Sequence, residues 1–238
     1  MELLLQDPAK IDALYLRKGK KNLDTDKIID LCRENGIRFS LVDDAFLGRL
    51  WSGNHQGVIA RLFTAGFMDY PDLLKQAADA PLPLLLAFDE IQDVGNAGAL
   101  ARTLYAMGGA GIVSPRHNGV YFGSGATKVS AGALNKLSVA KVANLAQALD
   151  LAREANYTVY GACSDNPAKE EKAENAFLFS PRLPAVLVLG NEEKGIRPIV
   201  KRRCSSLLSI PFAREFDSLN VAQAGAILIS AFAASLQK

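Results

Sequence analysis

The stretch Val186-Leu187-Val188-Leu189-Gly190-Asn191-Glu192 joins an apolar run to a polar turn. A run that is apolar at every position predicts a strand buried on both faces, which is typical of parallel sheets covered by helices. The strand predicted here spans Ala185–Leu189, and the other short, mainly apolar strand candidates after residue 82 are Leu84–Phe88, Gly111–Ser114, Ser138–Val142, Thr158–Ala162 and Leu207–Ile210. Helical stretches lie near 97–107, 144–155, 195–203 and 219–236. The alternation predicts an α/β fold with a mainly parallel sheet and helices on both faces.

The chain divides by pattern into two parts. Residues 1–68 predict a smaller α/β unit, with helices near 24–35 and 43–50 and short strands at 13–16, 39–42 and 58–62. Residues 69–83 contain three prolines and four charged residues, and this composition predicts a linker. The larger domain would then span residues 84–238.

Composition excludes several classes of protein. With 238 residues, 49% hydrophobic and 22% charged, the chain has the composition of an ordinary globular protein. Its net charge of +2 is too small to indicate a nucleic-acid binder by itself. Two local basic runs, Arg17–Lys21 and Lys201–Arg203, are either RNA contacts or solvated surface.

Neither a metal site nor a membrane segment is expected. Cys32, Cys163 and Cys204 are too far apart for a metal-binding pair, and their odd number argues against a disulfide framework. No apolar stretch approaches the ~20 residues that a bilayer-spanning helix needs. The first residues are acidic where a signal peptide would be basic, so we expect a cytoplasmic protein.

Two glycine-rich segments resemble nucleotide motifs but lack essential parts. Gly190–Gly195 has the spacing of a phosphate-binding P-loop, yet Ile196 stands where that loop needs lysine. Gly123–Lys128 resembles the start of a dinucleotide fingerprint but lacks its third glycine. We predict a flexible loop that contacts substrate for this second segment.

Three polar turns follow apolar strands, at Asn96, at Gly190-Asn191-Glu192 and at Ser218-Leu219-Asn220. Turns at the ends of such strands expose backbone groups to a ligand, so we predict one composite site. Asn96 and Ser218 also have a purely structural interpretation as helix caps. Arg102 lies among small and apolar helix residues, where it either serves the site or extends out of a packed helix.

The three turns resemble the signature motifs of the SpoU (TrmH-like) RNA ribose 2′-O-methyltransferases of the SPOUT superfamily. Asn96–Arg102 resembles Asn-x-Gly-x-x-x-Arg, and Leu189–Gly195 resembles Leu-Gly-x-Glu-x-x-Gly. Ile210-Pro211 followed by Ser218-Leu219-Asn220-Val221 resembles the third motif. In the first unit, Gly53–Val58 is similar to a His-Gln-Gly element of the family's ribosomal-protein-like RNA substrate-binding domain.

The resemblance implies a trefoil-knotted methyltransferase domain that binds S-adenosylmethionine. The implied cofactor-binding residues are Leu189, Gly190, Ile210 and Leu219. The implied catalytic residues are Arg102, Asn96, Glu192, Ser218 and Asn220. In the family the arginine at the position of Arg102 has been regarded as a base. Because a guanidinium keeps its proton, Arg102 is better suited to binding RNA phosphate and stabilising negative charge on the ribose oxygen. The other four catalytic residues would shape the pocket for the target ribose.

The resemblance also implies partners. It implies a homodimer that methylates RNA, and the two-part layout favours ribosomal RNA over transfer RNA as the substrate. The alternatives are a transfer-RNA ribose methyltransferase and a non-catalytic RNA-binding protein with this fold.

Overall fold

A computed structural model describes residues 2–6, 8, 11–19, 23–62, 66–164, 173–214 and 216–236. The chain forms two compact units, Met1–Gly66 and Phe67–Lys238. Among the described residues, none of the helices is both long enough and apolar enough to cross a membrane.

The first unit is a three-stranded sheet with short helices. Its elements are α1 (Glu2–Gln6), β1 (Ile11–Arg17), α2 (Leu23–Glu34), β2 (Arg38–Val42), α3 (Asp44–Leu50) and β3 (Val58–Leu62). The central strand β1 pairs in parallel with β2 and antiparallel with β3. Leu14 and Leu16 of β1 pack against Ile28 and Cys32 of α2, and this contact forms the core of the unit.

The second unit carries the remaining elements. They are α4 (Tyr70–Ala77), β4 (Leu82–Asp89), α5 (Val94–Ala106), β5 (Gly109–Pro115), α6 (Ser124–Val129), β6 (Ser138–Val142), α7 (Leu145–Glu154), β7 (Thr158–Cys163), β8 (Glu174–Asn175), β9 (Ala185–Gly190), α8 (Pro198–Lys201), β10 (Ser206–Ser209) and α9 (Val221–Ser235). A 3₁₀ turn at Ala133–Asn135 lies between α6 and β6.

Seven strands form one sheet in the order β6-β5-β4-β9-β7-β10-β8, and each described pairing is parallel. Successive side chains of a strand point to opposite faces, so the fully apolar strands feed two cores. In β4, for example, Leu84, Leu86 and Phe88 belong to one core while Leu85 and Ala87 belong to the other. This arrangement confirms the predicted α/β class.

Helices cover both faces of the sheet. The core that contains Leu84 is closed by α5 and α9, and the opposite core is closed by α4, α7 and α8. The helices α5 and α9 pack closely because Gly225 of α9 faces Leu100, whose Cδ2 lies 2.3 Å from where a Cβ of residue 225 would stand. The long C-terminal helix is thereby fixed against the helix that follows β4.

The predicted linker at residues 69–83 is wrong. Residues 70–77 form α4, and Tyr70, Leu73, Leu74 and Ala77 are buried in the second core. Pro71 lies in the first turn of this helix, where a missing N–H costs no hydrogen bond. The first strand then starts at Leu82.

The predicted flexible loop at Gly123–Lys128 is also wrong, because Ser124–Val129 forms α6. This helix packs on α5, where Gly98 leaves room for it: a Cβ at residue 98 would lie 2.8 Å from Cβ of Val129 and 3.0 Å from the Ala126 carbonyl oxygen. A segment of six residues is too short to show the periodicity by which a helix is predicted.

Candidate active site

The three polar turns lie at the carboxyl edge of the parallel sheet. Asp89 at the end of β4 pairs with Gly190 at the end of β9, so the loops that follow these two strands start side by side. The third loop follows β10, which is joined to β9 through β7. Ligands of parallel α/β sheets bind at this edge, where the strand order changes direction.

Asn96 lies inside the first turn of α5 and does not cap it, which corrects the structural interpretation. The cap is Asp93, whose Oδ1 accepts a hydrogen bond from the backbone N–H of Asn96 at 2.6 Å. An aspartate at this position also suits the positive end of the helix dipole. The carboxamide of Asn96 is therefore free to make other contacts.

This carboxamide joins the three motifs. Its Nδ2 donates to Oε1 of Glu192 at 2.7 Å, and its Oδ1 accepts from Nδ2 of Asn220 at 3.0 Å. Asn220 in turn caps α9, because its Oδ1 accepts from the backbone N–H of Ala222 at 2.8 Å. Residues separated by 96 and 124 positions in the chain thus form one hydrogen-bonded cluster.

Ser218 does not cap α9, although its residue type suggested that it would. Asn220 lies closer to the helix start at Val221 and takes that position. Ser218 is exposed and, within the part of the chain that the structure describes, its hydroxyl has no hydrogen-bond partner. Its side chain is therefore available to a bound molecule.

The turn after β9 is closed on itself. Asn191 and Gly195 exchange two backbone hydrogen bonds, and Oδ1 of Asn191 accepts from the N–H groups of Glu193 and Lys194. A Cβ at Gly190 would lie 2.2 Å from the carbonyl carbon of Gly195, which itself has a φ of +68°. Both glycines are required by the geometry of this turn.

A cavity of about 610 Å³ opens between the turn after β9 and the segment before α9, and neither Asn96 nor Asn220 lines it. All four residues that were predicted to bind the cofactor line this cavity, namely Leu189, Gly190, Ile210 and Leu219. Glu192 and Ser218 also line it, together with the end of β7 at Ala162–Ser164. The contribution of β7 was not predicted, because nothing in its sequence differs from a purely structural strand.

A family comparison agrees with this arrangement. Residues 83–230 match the model of the SpoU rRNA Methylase family, and residues 1–67 match a family described as RNA 2′-O ribose methyltransferase substrate binding. The chain belongs to the SpoU rRNA methylase family. The predicted family and enzyme class are thereby confirmed.

Individual SpoU relatives match along most of the chain. A putative TrmH family tRNA/rRNA methyltransferase from Bacillus subtilis is 31% identical, with 94% of this chain and 88% of the relative covered. A protein from Haemophilus influenzae named 23S rRNA (guanosine-2′-O-)-methyltransferase is 30% identical, with 95% of this chain and 91% of the relative covered.

Solved SpoU structures share the fold. The methyltransferase AviRb from Streptomyces viridochromogenes has a TM-score of 0.63 at 20% identity, covering 99% of this chain and 86% of its own. An AdoMet-bound rRNA methyltransferase from Sinorhizobium meliloti has a TM-score of 0.61 at 21% identity, covering 98% and 84%.

Arg102, the remaining predicted site residue of this SpoU chain, is not joined to the cluster. It lies six residues after Asn96 on α5, which corresponds to about 9 Å along the axis and about 240° around it. Its side chain is exposed and forms no hydrogen bond or ion pair with any other described residue. The guanidinium is therefore open to an external anion.

A buried ion pair beside the site was missed in the sequence. Asp89, which is fully buried, accepts two hydrogen bonds from Arg197 at 2.7 Å, one from the backbone N–H to Oδ2 and one from Nε to Oδ1, and Nη2 of the same guanidinium lies 2.7 Å from Oδ1 in an ion pair. This pair ties the end of β4 to the segment that follows Gly195. An acidic residue ending an apolar strand was the only available signal.

The thiol of Cys204 lies beside β7 and is uncharged at neutral pH. Burial raises the pKa of the Cys204 thiol to about 12. A thiol with that pKa stays protonated at neutral pH and is a poor nucleophile. Within the described ranges, no group of three or more His, Cys, Asp or Glu side chains is placed to hold a metal ion.

Proposed function

We propose that this protein transfers a methyl group from S-adenosylmethionine to a ribose 2′-hydroxyl of ribosomal RNA. The observation that carries the proposal is the hydrogen-bonded cluster of Asn96, Glu192 and Asn220, which joins all three family motifs beside one cavity. Relatives named as 23S rRNA methyltransferases support ribosomal RNA over transfer RNA. Such a substrate also supports a cytoplasmic location.

The cavity has the size and chemistry for the cofactor. Ligand pockets of drug-sized molecules have volumes of roughly 300–1,000 Å³, and this cavity has about 610 Å³. Leu189, Ile210 and Leu219 supply apolar surface, and the backbone around Gly190 supplies polar groups at the strand end. When bound, S-adenosylmethionine supplies a methyl group on a positively charged sulfonium. The cavity lining carries three carboxylates (Glu192, Glu193 and Asp217) against two ammonium groups (Lys194 and Lys201), and this balance favours the sulfonium charge.

The cluster and Arg102 would act on the RNA. Glu192 and Asn220 are held in fixed orientations by Asn96, so they orient the ribose together with the free hydroxyl of Ser218. A guanidinium remains protonated in proteins, which makes Arg102 a phosphate ligand and a stabiliser of negative charge on the attacking oxygen. We assign these roles as part of the proposal.

We further propose a homodimer in which the Arg102 of one copy serves the cavity of the other. Arg102 has no contact with the cluster of its own chain within the described residues. The helix layer around it exposes large apolar side chains: Tyr105, Met107 and Val129 are each more than 40% exposed. An apolar surface of this kind supports a self-complementary interface.

The proposed knot is supported by the path of the last segment. The strand β10 lies between β7 and β8, towards one side of the sheet, whereas α9 packs on α5, β4 and β9 near its centre. The segment 210–220 must therefore return across the carboxyl edge. We propose that it passes through the preceding loop as in other SPOUT proteins.

The test of function is methylation of ribosomal RNA by the purified protein with labelled S-adenosylmethionine. We expect Arg102→Ala to lower kcat by about 10²- to 10³-fold, the loss typical of one group that stabilises an oxyanion. Calorimetry should give an unchanged affinity for the cofactor.

The matched control is Arg153→Ala, because Arg153 is an exposed arginine on α7 in the opposite helix layer. It should keep wild-type activity. Equal loss of cofactor affinity and methylation in Arg102→Ala would contradict the assignment of Arg102 to the RNA. No cofactor binding by the folded wild type would contradict the proposed function.

A further inference from the structure

The first unit exposes the only tryptophan of the chain. Trp51 follows α3 directly, and its backbone N–H donates to the Leu47 carbonyl, which closes the helix. Its side chain is 55% exposed. The next three residues, 52–54, are exposed as well. An indole at such a position contributes little to the core of the unit, whose buried residues lie elsewhere.

The indole packs against its own loop. Its six-membered ring lies directly against Gly53, where a Cβ would stand 2.6 Å from Cζ2 and 2.7 Å from Cε2. The ring packs on the backbone of this glycine while more than half of the residue's surface faces solvent, so part of the ring is open to a stacking partner.

Cationic residues flank the loop that Trp51 begins. The loop that begins at Trp51 returns to β1 at Gly57, whose carbonyl accepts from the backbone N–H of Arg17 at 2.8 Å. Lys18 follows at once, and Arg49 precedes Trp51 by two residues with its guanidinium 5.7 Å from the centre of the Phe46 ring.

Neither Lys18 nor Arg49 forms an ion pair with another residue that the structure describes. The remaining lysines of this basic run, Lys20 and Lys21, lie outside the described residues. The segment around this loop thus carries an exposed aromatic ring and two cations that have no ion-pair partner among the described residues, whereas Arg17 is paired with Asp44 at 2.6 Å.

We propose that Trp51, Lys18 and Arg49 bind an unpaired stretch of RNA. One base stacks on the indole, and the two cations contact the adjoining phosphates. Proteins bind single-stranded nucleic acid with aromatic side chains interleaved with cationic ones. The aromatic rings stack on the flat faces of the bases, and the cations contact the negatively charged phosphates. This inference rests on the proposed function, in which RNA is the substrate.

The first experiment uses the fluorescence of Trp51. Because the chain has one tryptophan, its emission reports on this residue alone. We expect saturable quenching on titration with oligouridylate or oligoadenylate. The duplex formed from the two should quench weakly, because its bases are already stacked on one another. Raising the salt concentration should weaken the binding through loss of phosphate contacts.

The second experiment measures variants with a dye-labelled oligoribonucleotide. Trp51→Ala should bind about tenfold more weakly, and Trp51→Phe should keep most of the affinity because it keeps an aromatic face. The matched control is Leu41→Ala, which removes a side chain of the same unit that is 52% exposed. For methylation, Trp51→Ala should raise KM for RNA while kcat and cofactor affinity stay at wild-type values.

Two results would overturn the inference, and they differ from each other. Binding of the labelled RNA without quenching, with equal affinity in Trp51→Ala, would remove Trp51 from the RNA surface and leave the proposed function intact. A wild-type protein that binds cofactor but no RNA would remove the proposed substrate together with this site.

Discussion

At the scale of single residues, Asn96 has the most specific task. Its carboxamide donates to Glu192 and accepts from Asn220, so both of its ends are used. Aspartate keeps the acceptor but loses the donor, and alanine loses both. No other residue of this length offers a donor and an acceptor on one planar group.

We therefore expect Asn96→Asp to be more harmful than Asn96→Ala. The new carboxylate would face Oε1 of Glu192 across a contact that is now 2.7 Å, and two like charges at this distance repel. Losing a hydrogen bond to a charged group costs about 1.5–3 kcal/mol, so methylation should fall about ten- to a hundredfold in Asn96→Ala and further in Asn96→Asp.

The measurement is kcat/KM for methylation of ribosomal RNA, with unfolding by denaturant to monitor stability. Gln147→Ala is the control, since it removes an exposed carboxamide from α7. Equal activity in Asn96→Asp and the wild type would show that the contact with Glu192 does not matter for turnover.

Residue types alone predicted which side chains would meet, but not how. Asn96 and Ser218 both suit a helix cap, yet Asp93 and Asn220 take those positions. Several polar residues precede each of these helices, and the one that caps the helix is the one that lies where the chain turns from the preceding segment into the helix. That point is fixed by packing in the sheet, which local sequence does not contain.

At the scale of elements, the turn that follows β9 leaves no room for a side chain at Gly190. We expect Gly190→Ala to destabilise the protein by about 2 kcal/mol or more and to abolish measurable cofactor binding. The added Cβ would lie 2.2–2.6 Å from three backbone atoms of Gly195 and Ile196, so the turn must open.

Calorimetry with S-adenosylmethionine and chemical denaturation test this expectation. Gly48→Ala is the matched control: residue 48 lies within α3, and a Cβ there meets nothing within 4 Å. Alanine in a helix interior should be neutral or raise stability by about 0.5–1 kcal/mol. Normal cofactor affinity in Gly190→Ala would mean that the turn is not a wall of the cofactor site.

The sequence predicted elements well where they were long and apolar. The strands β4 and β9 were recognised because every residue from Leu84 to Phe88 and from Ala185 to Leu189 is apolar. The helix α4 was missed because its prolines and charges are typical of linkers, although its buried leucines occur at helical spacing. Proline is compatible with a helix only in its first turn, so Pro71 could be assigned to a helix only if the start of α4 was already known.

At the scale of the whole molecule, the proposed dimer makes a prediction about mixed subunits. If Arg102 serves the cavity of its partner, a dimer of one Arg102→Ala and one Asn96→Ala copy contains one complete site. Random mixing makes half of all dimers mixed, and each mixed dimer has one complete site of two. Two variants of low activity should therefore recover about a quarter of wild-type activity when mixed. Methylation after mixing and reassociation measures this.

Sedimentation of the mixture supplies the control, because it reports whether dimers are present at the assay concentration. Dimers that assemble normally but recover no activity would mean that Arg102 acts within its own chain.

The class of fold was predictable from alternating strands and helices, whereas the neighbours of each strand in the sheet were not. Apolar strands that are buried on both faces look alike in sequence, so nothing in Ala185–Gly190 specifies a central position.

The central position of β9 has a consequence for biosynthesis. It separates β4 from β7, although both are made before it. A nascent chain that ends before Ala185 therefore holds the paired strands β6, β5 and β4 and a β7 whose two sheet neighbours, β9 and β10, are not yet made, so the edges of β4 and β7 stay open to wrong pairing. The strand that closes this gap also ends in Gly190, so the cofactor cavity cannot exist before translation has passed that residue.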